Sequence, residues 1–136
     1  MTILTNYSEI ELQSLAQKYT KIWGVGDVVL MNGPMGAGKT TFVRLFAESL
    51  NIKGVCSPSY TLINHYQGPI KIIHIDLYRL NHSQEIESLE IEPYFDQALT
   101  FIEWAEKLGP LTPKNAIIMS FEFKNGERSL KIESKD

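Results

Sequence analysis

Apolar positions along this chain alternate between a helical and an extended rhythm. Leu12, Leu15, Ala16 and Tyr19 recur at helical spacing behind Ser8-Glu9-Ile10-Glu11, predicting a helix from about Glu9 to Ile22. Ser8 and Glu11 have the spacing of a capping box, in which hydroxyl and carboxylate satisfy backbone donors at the helix start. Gly24 and Gly26 end the pattern. Asp27 to Asn32, "DVVLMN", is a short, unbroken apolar run and reads as a buried strand. From Lys39 to Leu50 the side chains of Phe42, Val43, Phe46 and Leu50 share one face, predicting a second helix.

The second half is richer in extended segments. "SPSYTLINHY" turns at Ser57-Pro58 and then extends, and Ile70 to Leu80 reads as a strand running into a loop. Ser83 is expected to cap a short helical segment whose Ile86, Leu89 and Tyr94 face inward. Ala98 to Trp104 is another strand, and Pro110 and Pro113 punctuate a loop before "AIIMSFEF". Asn125-Gly126, set between two β-rich runs, predicts a tight hairpin. Helices alternating with buried strands, then a hairpin, specify an α/β sheet with an antiparallel extension.

The chemistry concentrates between the first strand and the second helix. Gly33-Pro34-Met35-Gly36-Ala37-Gly38-Lys39-Thr40 satisfies G-x-x-x-x-G-K-[ST] at every defined position. Glycines let backbone N–H groups converge on an anion, and the helix beginning near Lys39 adds the positive end of its dipole. Lys39 would reach the β- and γ-phosphates of a nucleoside triphosphate, and the Thr40 hydroxyl would complete a Mg²⁺ shell. The fold expected is therefore P-loop NTPase-like: a mostly parallel sheet flanked by helices, with a C-terminal antiparallel hairpin.

Such sites carry an acidic residue at the end of a neighbouring strand, to orient the metal or the attacking water. Asp76, ending "IIHID", and Glu103, ending "LTFIE", both qualify, and the sequence alone leaves their division of labour open. His74 would share a strand face with Asp76, as a hydrogen-bonded core residue. Ser57, Ser59, Tyr60 and Thr61 supply hydroxyls of the kind that sense a γ-phosphate in switch-type NTPases, although hydroxyl-rich turns are common and the residues alone favour an ordinary turn. Trp104 is expected to pack beside the site or to present to a partner. Arg44, four residues past Thr40, falls on the wrong side of its helix to act as an arginine finger, so substantial turnover is expected to need partner proteins.

Composition narrows the classes. A length of 136 residues suits one domain, 1–136, with one modest core. A net charge of −3 and only three arginines, Arg44, Arg79 and Arg128, argue against a direct grip on nucleic acid. The single cysteine, Cys56, precludes an internal disulfide and fits a reducing compartment. No apolar run reaches membrane-spanning length and no signal-peptide layout opens the chain, so a cytoplasmic protein without membrane attachment is expected.

"GPMGAGKTT", "SPSYTL", "HIDLYRL" and "FIEW", in this order and at these separations, resemble the TsaE family over nearly the whole chain. The resemblance implies a small ATPase that binds ATP and Mg²⁺ and hydrolyses slowly alone. It would work with TsaD and TsaB, which attach threonylcarbamoyl to an adenosine of tRNA, so that tRNA is met only through the complex. Carried over by motif position, Met35, Gly36, Ala37, Gly38, Lys39 and Thr40, with Thr41 beside them, hold the nucleotide. Thr40 and Glu103 attend Mg²⁺, and Asp76 is needed for hydrolysis. Ser8 and Glu9 approach the adenine, Ser59 and Thr61 belong to the switch-like loop, and Trp104 contributes to nucleotide response or docking. This chain departs from the family's usual pattern at Ser59, where threonine is common, and at Pro34, where an acidic residue is common.

Two other classes remain on the residues alone. A small P-loop kinase would need a lid and more arginines to clamp two phosphorylated substrates. A non-hydrolysing ATP sensor would tolerate loss of both Asp76 and Glu103.

Overall fold

Seven strands form one sheet in the order β1-β7-β6-β2-β5-β4-β3 in a computed structural model that describes residues 1–58 and 61–134. The elements are β1 (Thr2–Leu4), α1 (Glu9–Tyr19), β2 (Val28–Asn32), α2 (Lys39–Glu48), β3 (Ile63–Tyr66) and β4 (Ile72–Asp76), followed by α3 (Ser83–Ser88), β5 (Leu99–Glu103), β6 (Ile117–Lys124) and β7 (Glu127–Glu133). Short 3₁₀ segments cover Glu92–Asp96 and Ala105–Leu111. The α/β class expected from the periodicity is the one observed.

The centre of the sheet is parallel: β2 pairs with β5 and β6, and β5 pairs with β4. Both margins are antiparallel, through β3–β4 on one side and β6–β7–β1 on the other. Antiparallel pairing thus extends beyond the terminal hairpin that the sequence announced. Strand β1 is too short for periodicity to reveal; it exists because Thr2, Ile3 and Leu4 find partners Ile132, Lys131 and Leu130 on β7.

Strands β2, β4 and β5 bury both faces, which explains their unbroken apolar runs. Alternation along β5 sends Phe101 toward the α1/α2 side and Ile102 toward the side of α3 and the 3₁₀ segments. On the α1/α2 side Phe46 meets Phe101 edge-on at 5.2 Å, and Trp23 stacks on Tyr19 at 4.3 Å. Phe42, Phe46 and Phe101 are fully buried, each worth roughly 1.5–3 kcal/mol by the area it removes from water. Ile73, Ile75, Ile86 and Leu108 fill the opposite side.

The local signals behave as their chemistry requires. Ser8 Oγ accepts from the Glu11 backbone N–H at 3.2 Å and Glu11 Oε1 accepts from the Ser8 N–H at 3.1 Å, completing the capping box. Asn125 and Gly126 take φ of 53° and 76°, the left-handed pair that a two-residue hairpin needs. Ser83 is the first helical residue of α3 and not its cap; the Glu85 carboxylate instead reaches back to the backbone N–H groups of Asn81 and His82.

Candidate functional site

The loop from Gly33 to Gly38 links β2 to α2 at the C-terminal edge of the parallel strands, where open α/β sheets bind ligands. Its shape is enforced by neighbours on both sides. A Cβ on Gly33, whose φ is 137°, would come within 2.5 Å of the Phe121 carbonyl oxygen on β6. At Gly38, with φ of 115°, a Cβ would lie 2.8 Å from the Tyr7 hydroxyl. The Tyr7 hydroxyl donates to the Ala37 carbonyl at 2.9 Å, and Arg128 Nε donates to the Gly36 carbonyl at 3.1 Å. Loop carbonyls are thereby satisfied from outside.

Lys39 is buried, with Nζ donating to the Gly33 carbonyl at 2.5 Å and lying 3.9 Å above the centre of the Trp104 ring. Desolvation pushes its pKa below the ordinary lysine value, against the opposing pull of Glu103, Glu106 and Asp76. A lysine held this way gains by meeting an anion.

Parallel pairing of β4 with β5 sets Asp76 opposite Glu103. Period-two alternation aims His74, Asp76 and Glu103 at the same side as Phe101, hence at α2. Thr40 Oγ1 donates to Glu103 Oε2 at 2.7 Å, and His74 Nε2 lies 2.6 Å from the same oxygen. A carboxylate can only accept, so the His74 proton in this contact is on Nε2. Burial alone would raise the Glu103 pKa; the hydrogen bond and charge of His74, with the Thr40 hydroxyl and Lys39, outweigh it and hold the carboxyl below its ordinary value. Asp76 is equally buried, and its Oδ1 accepts from the Tyr78 backbone N–H at 2.9 Å.

A cavity of about 600 Å³ joins these parts. The loop residues Met35, Gly36 and Gly38 line it with Lys39, Thr40 and Thr41, as do Asp76, Tyr78, Glu103, Trp104 and Ser57, and Tyr7, Glu9, Leu12 and Arg128. Among the described residues no three His, Cys, Asp or Glu side chains form a metal cage by themselves. The hydroxyl–carboxylate pair of Thr40 and Glu103 supplies hard oxygens suited to Mg²⁺, which takes few protein ligands and completes its shell with water and phosphate oxygens.

Most residues singled out in the sequence therefore converge. Ala37 contributes its backbone to the loop and turns its carbonyl to Tyr7. Ser8 is engaged in the helix cap and does not line the cavity, whereas Glu9 does, its carboxylate 2.6 Å from Arg44. Thr61 donates to Asn64 Oδ1 at 2.7 Å and does not reach the cavity, and Ser59 and Tyr60 lie outside the described residues. Trp104 takes φ of 58°, a left-handed turn at the strand end that sets its ring over Lys39 and 5.0 Å from Tyr78.

The arginine beside the loop is Arg128, which no sequence motif ties to it. It lies 92 positions from Gly36 and is delivered by the hairpin partner of β6. Tyr7 was equally invisible, because no motif marks the link between β1 and α1. Arg44 is turned away as expected, toward Glu9 and Glu48.

A phosphate-type loop between a central parallel strand and its helix, faced by buried carboxylates at the ends of two adjacent strands, defines an α/β domain of the P-loop class. The family model for "Threonylcarbamoyl adenosine biosynthesis protein TsaE" matches residues 6–131. The chain belongs to the TsaE family, whose named role is in tRNA threonylcarbamoyladenosine biosynthesis. It is 36% identical over 108 residues to the protein of that name from Haemophilus influenzae, covering 77% of this chain and 68% of the relative. With the Nostoc relative it shares 41% over 99 residues, 68% of this chain and 60% of the other. The crystal structure of Bacillus subtilis YdiB superposes with a TM-score of 0.79 at 25% identity, over 99% of this chain and 86% of that one.

Proposed function

We propose that this chain binds ATP with Mg²⁺ and hydrolyses it as a subunit serving TsaD and TsaB in tRNA threonylcarbamoyladenosine synthesis. The observation that carries the reading is the junction of Thr40 with Glu103 beside a buried Lys39, at the mouth of a phosphate-type loop. Lys39, His74, Asp76 and Glu103 are buried together at one sheet edge, and a phosphate-bearing ligand with its metal would engage Lys39, Thr40 and Glu103 directly.

Lys39 would exchange the Gly33 carbonyl for phosphate oxygens, and the loop N–H groups would hold the remaining charge as it redistributes toward the leaving group. Thr40 Oγ1 and Glu103 would hold the magnesium ion. Bound there, it would neutralise β- and γ-phosphate charge. Asp76, one strand away, would orient the attacking water, while His74 keeps Glu103 ionised and pointed at Thr40. Trp104 would close one side of the lysine and exclude water from it.

The test is Mg²⁺-dependent ATP hydrolysis by the purified chain, with and without TsaB and TsaD, beside a Glu103→Ala control. Stimulation by the partners that disappears in the control supports the proposal. ATP binding without turnover in any mixture would instead identify a nucleotide sensor.

A further inference from the structure

A second cavity, of about 310 Å³, opens between α3 and the two 3₁₀ segments and shares no lining residue with the loop site. Ile86 and Ile91, both buried, line it together with half-buried Phe95 and Leu111. Exposed Glu87, Glu90 and Glu92 line the same groove, and none of the three forms an ion pair among the described residues. From Leu80 to Glu106 the chain carries no lysine or arginine, so no neighbour in sequence neutralises them. Glu90 is held at φ of 50° just behind α3, a left-handed helix-end position that favours glycine. The chain keeps a carboxylate there against that preference.

Unpaired carboxylates around apolar side chains repel phosphate backbones and anionic lipid, which disfavours nucleic acid and membrane surfaces as occupants. A second copy of this chain is opposed by its own net charge of −3. What complements both features is a peptide segment whose apolar side chains are flanked by lysine or arginine. We propose that the groove docks such a basic segment of a partner protein, apart from the nucleotide cavity. The apolar side chains of the segment lie against Phe95 and Leu111, and its cations face Glu87, Glu90 and Glu92. This inference rests on the reading that the chain serves TsaD and TsaB, one of which would present the segment.

The experiment is calorimetric titration of TsaB–TsaD with the full chain, E87K/E92K and Leu111→Ser, at low and high salt, beside titration of each chain with Mg-ATP. Both variants are expected to bind TsaB–TsaD about tenfold or more weakly while keeping their affinity for ATP. Added salt should weaken the unmodified chain and Leu111→Ser, and E87K/E92K much less. Should E87K/E92K fail to fold, Glu90→Gly takes its place: it is expected to raise the melting temperature and still to bind TsaB–TsaD about threefold more weakly. Unchanged TsaB–TsaD affinity in the variants would overturn the inference and leave the TsaD–TsaB reading intact. Loss in only the charge variant or only Leu111→Ser would also overturn it, since the carboxylates would then merely steer approach or the apolar residues would bind without them. Loss of ATP affinity in step with TsaB–TsaD affinity would overturn it as an effect carried through the nucleotide site. Self-association of the chain alone, seen by sedimentation and abolished in E87K/E92K, would overturn it in favour of a second copy. Failure of the unmodified chain to bind TsaB–TsaD would overturn both the inference and the reading beneath it.

Discussion

Thr40 Oγ1 and Glu103 Oε2 stand 2.7 Å apart although 63 positions separate the two residues in the chain. The contact joins the first turn of α2 to the last residue of β5, and so fixes the helix start against the sheet edge. Glu103→Gln keeps the shape but removes the charge. Expected is a fall in Mg²⁺-dependent hydrolysis of about a hundredfold or more in kcat, with ATP affinity changed far less. Steady-state kinetics alongside direct binding measures the two separately, and equal losses in both would contradict the assignment.

The same carboxyl should leave a mark on acid stability. Its folded pKa is lowered relative to 4.5, so the unfolded chain binds more protons in the interval between the two values. Stability from this group is complete above the unfolded pKa and is lost as pH falls through the lowered folded value. Denaturant titrations from pH 6 downward, a range chosen to span the ordinary carboxylate value of about 4.3, should show a shallower acid decline in Glu103→Gln than in the parent.

Lys39 titrates in the opposite quarter. Burial lowers its pKa from 10.5, and an arriving phosphate would raise it again. Binding of ATP should therefore take up protons at alkaline pH, between the lowered value and the ordinary one. No uptake by this group is expected where it is already protonated before binding. Calorimetry in buffers of differing ionisation enthalpy measures the uptake, and Lys39→Met should abolish it.

Trp104 lies over Lys39, whereas Trp23 is buried among Tyr19, Phe42, Phe46 and Phe101. Movement of the lysine onto a phosphate would change the field at one indole and leave the other untouched. Addition of ATP should alter tryptophan fluorescence in Trp23→Phe and leave Trp104→Phe nearly silent. A response confined to Trp104→Phe would refute this.

The loop glycines should differ sharply in cost. Gly33→Ala drives a methyl into the Phe121 carbonyl and holds alanine at φ of 137°, so a loss of roughly 3 kcal/mol or more is expected. Gly36→Ala meets no atom within 4 Å and bears only its positive φ of 81°, for about 1–2 kcal/mol. Chemical denaturation compares them directly.

Much of this molecule is legible in its sequence. Helices α1 and α2 and strands β2, β4 and β5 follow from local periodicity, since each buries a face that its own spacing defines. The phosphate-type loop was legible because the requirement for convergent N–H groups falls on consecutive residues. Asp76 and Glu103 could be placed at strand ends, since a charged residue closing an apolar run marks where the strand's hydrophobic pattern ends. The short strand β1 left no signal, because three residues carry too little pattern and depend wholly on pairing with β7.

Within the sequence itself, then, lay the α/β class, the loop, and the set of polar side chains available to a phosphate ligand. Tertiary structure alone decided which of them meet. It tied Thr40 and His74 to one oxygen of Glu103, set Trp104 over Lys39, and brought Tyr7 and Arg128 from opposite ends of the chain onto the loop carbonyls. Local spacing governs which face a residue takes, because 3.6- and two-residue periods are properties of a few neighbouring bonds. Proximity between distant residues depends on strand order and register, which emerge only when every hydrophobic face is buried at once.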